Sequence, residues 1–179
     1  DDDGRFRLGS RLLRWSGDVD PLLASAQSAV NELRDRTQVS AQVYRRQMDS
    51  RLCIAAAEPA AGLRDSVPVG ALLSMRAGSA AQVLTAWAPE DEQRRSLRVA
   101  AFSADDLETT RQRGWAHSLA QREPGVASLS APIRDDLGDV VAAISLSGPV
   151  DRLSRPTKAQ VSALLSAAAR LSLGDQPEQ

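Results

Sequence analysis

Apolar and hydroxyl-bearing positions alternate in two segments that predict a β-hairpin over residues 126–148. Residues i and i+2 of a strand share a face, so each segment has an apolar face and a face of smaller, partly polar side chains. The apolar faces comprise Ala127, Leu129, Ala131 and Ile133 in the first strand and Val140, Ala142, Ile144 and Leu146 in the second. The opposite faces comprise Ser128 and Ser130 in the first strand and Val141, Ala143, Ser145 and Ser147 in the second. Between the strands, Gly138 is free to take a positive φ and close the turn.

The serine-bearing face of this hairpin has two interpretations. Strand surfaces that face solvent usually carry Lys, Glu, Arg or Thr, whereas small hydroxyls mixed with Ala and Val are typical of a concave, partly dry wall. Small-molecule pockets have that chemistry. The alternative is that the serines are satisfied in the core or face solvent, because the same period of two governs ordinary half-buried strands.

Apolar residues at helical spacing predict a helix over residues 21–36. Asp20 is expected to be its N-cap, and Pro21 suits the first helical position. A final helix is predicted over residues 157–173, ended by Gly174.

Shorter segments predict strands at residues 39–44 and 52–57 and a third at 63–67, which Pro68 would end. An apolar loop then leads to a helix of small residues that begins near Ser79. The order of helix, strands, helices, strands and helix is typical of an α+β domain with a largely antiparallel sheet.

Two further helices are expected before the hairpin. One begins near Pro89, where acidic residues suit the first turn. The next is opened by a capping box of Ser103 and Asp106 and ends at Gly114.

Composition narrows the class of protein. The 179 residues suit one domain, or one domain with a helical extension, and the net charge of −1 gives no argument for general nucleic-acid affinity. No apolar run approaches the ~20 residues that span a bilayer, and no secretory signal is visible. Cys53 is the only cysteine, which fits a reducing, cytoplasmic setting. Because the chain begins at Asp1 without an initiator Met, it is either processed or, as we expect, a piece of a longer protein.

The candidate chemistry is sparse. No phosphate-binding loop, dinucleotide fingerprint, metalloprotease motif or nucleophile elbow is present. We interpret His117 as a loop or strand-edge histidine and Cys53 as a small core residue. Arg76 stands in an apolar loop, where it either pairs with a carboxylate ligand in fork geometry or points to water. The backbone amides at residues 77–81 open a helix, and such amides favour anions.

Several segments together match the signature of a known family. They are Arg5-Phe6-Arg7-Leu8-Gly9, the loop and helix at 69–86, Gly114-Trp115-Ala116, Glu123-Pro124-Gly125-Val126, Ala131-Pro132-Ile133, Gly138 and the strand at 142–149. With these segments, nearly the whole chain resembles the effector-binding region of IclR-type bacterial transcription regulators.

The resemblance implies a GAF-like fold, with an antiparallel sheet that has helices on both sides and a linker helix before it. Residues 1–18 would be the end of a DNA-binding wing and the linker helix, residues 19–174 the effector-binding domain, and residues 175–179 a disordered tail. The winged helix-turn-helix itself is missing from this chain.

The resemblance also implies a ligand site between the sheet and the loop at residues 74–82. Its candidate effector-binding residues are Ser118, Ser128, Ser145 and Ser147, the backbone near Ala80 and Ala81, and the loop residues Met75 and Arg76. The family often has Asp where Ser118 stands, and its usual loop histidine is Arg76 here. The loss of an acid and the gain of a cation favour an anionic ligand.

The expected function is that of a ligand-sensing and oligomerisation domain that is not itself an enzyme. A small, carboxylate-bearing metabolite would alter how the absent winged-helix domain binds operator DNA. We expect a homodimer or tetramer in the cytoplasm, with no cofactor, no metal and no membrane partner. The alternatives are a stand-alone GAF-like binding module, a structural dimerisation domain with a degenerate pocket, and a small hydrolase that uses His117 or Cys53.

Overall fold

The computed structural model describes residues 20–61 and 65–173. Its elements are α1 (Pro21–Thr37), β1 (Ser40–Gln47), β2 (Ser50–Ala57), β3 (Leu72–Ser74), α2 (Ser79–Ala86), α3 (Glu90–Leu97), α4 (Ala104–Arg113), β4 (Ala116–Leu119), β5 (Val126–Arg134), β6 (Val140–Pro149), α5 (Val150–Leu153) and α6 (Lys158–Leu173).

The strands form one antiparallel sheet in the order β3-β2-β1-β6-β5-β4. Helices α1 and α6 pack against each other and against one face of the sheet, which we call the α1–α6 face. Helix α2 packs on the opposite face, the α2 face, with α3 and α4 against it. The predicted α+β architecture with helices on both sides of an antiparallel sheet is confirmed.

The two faces enclose separate hydrophobic clusters. The α1–α6 face holds the larger one, in which Leu33, Leu129, Ile144, Leu146 and Leu164 are almost completely buried. The cluster on the α2 face is smaller and includes the larger side chains Tyr44, Met75 and Phe102 beside several alanines. The core therefore lies mainly between the sheet and the α1–α6 pair.

The helix boundaries follow the local signals in the sequence. The backbone N–H of Leu22 donates to Asp20 Oδ1 at 3.1 Å, which confirms the N-cap of α1. Ser103 and Asp106 form the reciprocal capping box of α4, and Gly114 ends that helix at φ 78°.

The third strand is not where the sequence predicts it. Residues 65–68 form no strand, and β3 is instead Leu72–Ser74, after Pro68. The edge of β2 is occupied by this later segment, because the Cys53 N–H donates to the Ala71 carbonyl and the Gly70 N–H donates to the Cys53 carbonyl. The prediction was wrong at residues 65–67, because a turn at residues 69 and 70 brings the later segment, rather than the one before Pro68, to the edge. Residues 63 and 64 lie outside the described part of the chain.

A β-bulge in β2 determines which of its side chains face α2. Val43 of β1 pairs with Ala55, but the next residue, Tyr44, pairs with Cys53, so that Ile54 is the extra residue. Ala55 therefore joins the cluster on the α1–α6 face, whereas Cys53 joins the cluster on the α2 face.

Some predictions fall on residues that lie outside the described part of the chain. These are the wing and linker helix at residues 1–18, the stop at Gly174 and the tail at 175–179. Among the residues that the structure describes, no helix is both long enough and apolar enough to cross a membrane.

Candidate ligand-binding site

Five serines from three neighbouring strands line the α2 face, and we call Ser118, Ser128, Ser130, Ser145 and Ser147 the serine wall. Ser128 lies opposite Ser147 and Ser130 lies opposite Ser145, as the alternation predicts. The hydroxyl oxygens of Ser130 and Ser145 are 2.6 Å apart, and those of Ser118 and Ser128 are 3.1 Å apart. Apart from the half-buried Ser128, these side chains are buried, so the wall does not face solvent.

Ser79, the first residue of α2, closes the wall from the other side. Its hydroxyl lies 2.8 Å from Ser128 Oγ and 2.7 Å from Ser130 Oγ. The loop enters the helix through Gly78 at φ 96°, a conformation that L residues rarely adopt. The N-terminus of α2, whose first backbone amides have no intrahelical acceptor, is therefore directed at the serine wall.

A cavity of about 20 Å³ lies between the serine wall, the N-terminus of α2 and strands β1 and β2. Such a volume holds about one water molecule. Its lining is Gln42, Tyr44, Arg51, Asp65, Gly78, Ser79, Ala80, Arg122, Ser128, Ser145 and Ser147. A metabolite therefore fits only if the walls move apart.

Arg51 supplies a buried cation to this cavity. Its side chain, on β2, is 3% exposed; the guanidinium lies 5.4 Å from the centre of the Tyr44 ring and donates to the Ser74 carbonyl. Burial lowers the pKa of Arg51 to about 10, so it stays protonated at neutral pH. The Nε atom is buried and has no hydrogen-bond partner in the described residues.

The charge of a second cation, Arg122, is balanced by carboxylates of the protein itself. Its guanidinium pairs with the buried carboxylate of Asp65 and donates to Glu123 Oε1 at 2.6 Å. Asp65 and Arg122 come from separate loops, so this ion pair joins two segments at the rim of the cavity.

Gln42 on β1 completes the polar lining. Its Oε1 accepts a hydrogen bond from the Ser147 hydroxyl at 3.1 Å. Its Nε2 is buried and has no partner in the described residues. The cavity is thus lined by Gln42 and Arg51, each of which has a buried donor with no acceptor in the described residues.

The structure brings together most of the residues that the sequence proposes as a ligand site, but not all of them. Ser128, Ser145, Ser147 and Ala80 line the cavity, while Ser118 reaches it through its contact with Ser128. Ala81 is buried one position further along α2, and Met75 is buried in the cluster on the α2 face.

Arg76 does not reach the cavity. Its side chain is exposed and lines a separate, open groove of about 600 Å³ beside Arg46, Glu92 and Val99. Of the two alternatives that the sequence left for Arg76, the structure has the side chain at the solvent-exposed surface.

The charged residues that line the cavity, Arg51, Asp65 and Arg122, were not predicted from the sequence. A signal existed for Arg51, because it is the only charge in the otherwise apolar and small strand Ser50–Ala57. No comparable signal marked Arg122 or Asp65, because both lie in loops where charged residues are normally solvated.

Cys53 and His117 lie on opposite faces of the sheet. The Cys53 thiol is buried among the residues of the α2 face, where burial raises its pKa to about 11. His117, on the edge strand β4, has its Nε2 2.9 Å from the Leu153 carbonyl oxygen, which confirms the interpretation of a strand-edge histidine. The two side chains therefore cannot act as a nucleophile and its base, and the described residues contain no cluster of side chains that could hold a metal ion.

Comparisons with known proteins point to one family. The family model described as "Bacterial transcriptional regulator IclR C-terminal" matches residues 18–173. The HTH-type transcriptional regulator BhcR of Paracoccus denitrificans (strain Pd 1222) is 31% identical over 97% of this chain and 66% of its own length. The glycerol operon regulatory protein of Streptomyces griseus is 28% identical over 94% of this chain and 73% of its own length.

A solved structure shows the same fold. The IclR-family transcriptional regulator from Rhodococcus sp. aligns with a TM-score of 0.76 and 29% identity, covering 97% of this chain and 72% of that one. This chain thus spans about two thirds to three quarters of the length of these relatives. The relatives are named as transcriptional regulators and not as enzymes. The chain therefore belongs to the IclR family of bacterial transcriptional regulators, of which it contains the C-terminal domain.

Proposed function

We propose that this domain senses a small carboxylate-bearing metabolite and transmits its binding to a separate DNA-binding domain. The observation that carries the proposal is the cavity between the serine wall and the N-terminus of α2. Serine hydroxyls recognise oxygen atoms of a small ligand, and the helix N-terminus favours an anionic group. The regulator would act in the cytoplasm on operator DNA, with contacts to DNA made only by a separate winged helix-turn-helix domain.

The mechanism we propose is a shift between two arrangements of α2. In the structure, Ser79 occupies the hydroxyls of Ser128 and Ser130, and the remaining cavity has room for about one water molecule. An effector would replace the Ser79 hydroxyl at the wall and hold α2 further from the sheet. Such a ligand shifts the population in proportion to its differential affinity for the two states.

Operator binding would respond through oligomerisation. In a homodimer or tetramer, a change at α2 that reaches the contact between subunits alters how the paired DNA-binding domains are spaced. Linkage then requires operator DNA to change effector affinity by the same factor in the full-length protein.

One observation favours a second candidate function. The cavity is small and the serine hydroxyls already bond one another, which is what a structural dimerisation domain with a degenerate pocket would show. The unmatched donors of Gln42 and Arg51 argue against it, because a cavity that no longer bound a ligand would gain stability by losing them.

A thermal-shift screen of this chain against small carboxylates, sugar acids and aromatic acids tests the proposal. At about 100 times its dissociation constant, a ligand stabilises the folded protein by ~2.7 kcal/mol, which raises the Tm of a domain of this size by roughly 5–10 °C. We expect the shift to disappear in Ser145→Ala and to persist in Ser166→Ala, an exposed serine on α6. A well-folded protein that responds to none of these acids would support the degenerate pocket instead.

A further inference from the structure

Arg51 is a buried charge whose nearby counter-charge in the described residues, the Asp65 carboxylate, is already bound by Arg122. Within the described residues no carboxylate forms an ion pair with it, and its only protein acceptor is the Ser74 carbonyl. The desolvation of a buried cation costs several kcal/mol unless an anion and full hydrogen bonding compensate for it. A guanidinium in this state is a site for an anion that is not part of the chain.

The surroundings of Arg51 strengthen this requirement. Its Nη2 lies 3.3 Å from the position that a Cβ on Gly78 would occupy, so the guanidinium sits directly against the N-cap of α2. A helix N-terminus carries partial positive charge, and a cation placed there is unfavourable unless an anion joins the two. The Gln42 Nε2 adds a third donor, which is also buried and unmatched.

Arg122 is not expected to bind an external anion. Asp65 and Glu123 both bind its guanidinium, so its charge is balanced by the protein itself. Arg76 is not part of this site either, because it is exposed and lines the separate groove.

We infer that Arg51, assisted by Gln42 Nε2 and the N-terminus of α2, recognises the carboxylate group of the effector. This inference rests on the proposed function, and it makes Arg51 the residue that distinguishes an anionic ligand from its neutral analogue. The serine wall then contacts the uncharged oxygen atoms of the same ligand.

Acetate and acetamide are suitable probes, because they differ in charge and little in shape. We would titrate each against this chain by thermal shift, with sodium chloride at equal ionic strength as the reference. The wild-type protein is expected to show a saturable rise in Tm with acetate beyond that given by chloride or acetamide. In Arg51→Gln the affinity for acetate should fall roughly 10- to 100-fold, the range for hydrogen bonds to a charged group.

Arg76→Gln is the matched control, because it removes the same charge from a nearby exposed position and should leave the acetate response unchanged. Arg51→Met is the second charge-removing variant, should Arg51→Gln not fold. The inference is overturned if an Arg51 variant responds to acetate as the wild type does, if Arg76→Gln loses the response, or if the wild type does not prefer acetate over acetamide.

Failure of this inference is distinguishable from failure of the proposed function. A metabolite from the broader screen whose shift depends on Ser145 but persists in Arg51→Gln would keep the sensor and remove Arg51 from carboxylate recognition. The absence of a response to acetate and to every metabolite in the screen would overturn both.

Discussion

The two faces of the sheet use the same strands for opposite purposes. On the α1–α6 face, β5 and β6 bury Leu129, Ile144 and Leu146 in a continuous apolar cluster. On the α2 face, the alternate positions of the same strands bury Ser130 and Ser145 in a hydroxyl network. The domain therefore derives its stability mainly from one face, while it keeps costly polar groups on the other.

This difference indicates where function lies. Polar groups that are buried and fully bonded are close to neutral for stability, whereas unmatched ones such as Gln42 Nε2 and Arg51 Nε reduce it. These two groups line the cavity on the α2 face, where a ligand would complete their hydrogen bonding. The other buried side-chain atoms that lack a hydrogen-bond partner in the described residues belong to Ser40, Arg46 and Thr85, which do not line the cavity. The apolar face offers no such opportunity.

The largest expected effect comes from truncating the apolar face. Leu129 is completely buried, so Leu129→Ala should lower the free energy of unfolding by about 2–5 kcal/mol through lost transfer energy and a residual cavity. The neighbouring change Ser130→Ala, on the opposite face of the same strand, should cost only about 1 kcal/mol. Urea denaturation of both variants measures the contrast, and equal losses would contradict the division between the faces.

The sequence predicted the faces of the hairpin from Ala142 onward because a period of two assigns side chains in any regular, paired strand. Ser145 and Leu146 are assigned correctly for that reason alone, and Gly138 adopts φ 85° in the turn between the strands, as predicted. The faces predicted for Val140 and Val141 were wrong, because the register shifts between Ile133 and Arg134 and places Val140 on the α2 face and Val141 on the α1–α6 face. The same period misleads in β2, where the bulge at Ile54 shifts the face of every residue beyond it.

The charged half of the cavity was harder to predict for a physical reason. A single arginine in a strand is normally exposed, and its burial depends on the later segment around Ser74, which covers it at the edge of the sheet. The Asp65–Arg122 pair joins two loops distant in sequence, and no local pattern reports such a contact. Sequence periodicity therefore identifies the serine wall but not the cation opposite it.

Removing the charge of Arg51 on the α2 face should raise the free energy of unfolding, by less than Leu129→Ala lowers it. Arg51→Met keeps a side chain of considerable length but removes the desolvation cost of the guanidinium, so we expect the ligand-free protein to gain about 1 kcal/mol in the free energy of unfolding. Arg76→Met, at the exposed groove, should change stability by less than about 0.5 kcal/mol. Urea denaturation distinguishes the two.

A clear loss of stability in Arg51→Met would contradict this expectation. It would mean that the bond from Arg51 to the Ser74 carbonyl, together with the contact over the Tyr44 ring, outweighs the cost of burying the charge. In that case Arg51 would belong to the stabilising part of the fold.

The smallest expected effect is a pH dependence that arises on the α1–α6 side of the sheet. Burial lowers the pKa of His117 below its usual 6.5, although its bond to the Leu153 carbonyl opposes the shift. Because the unfolded chain takes up a proton near pH 6.5 while the folded protein does so only at lower pH, the free energy of unfolding should fall as the pH drops below 6.5. Urea denaturation at pH 7 and pH 5.5 measures this fall.

His117→Gln, which keeps an amide donor for the Leu153 carbonyl but does not titrate, should reduce this pH dependence. Asp20 does not contribute in this range, because the Arg45 guanidinium holds the pKa of its carboxyl below the usual 3.8. If His117→Gln retains the full pH dependence, the titrating group lies elsewhere, and the apolar face would be insensitive to pH.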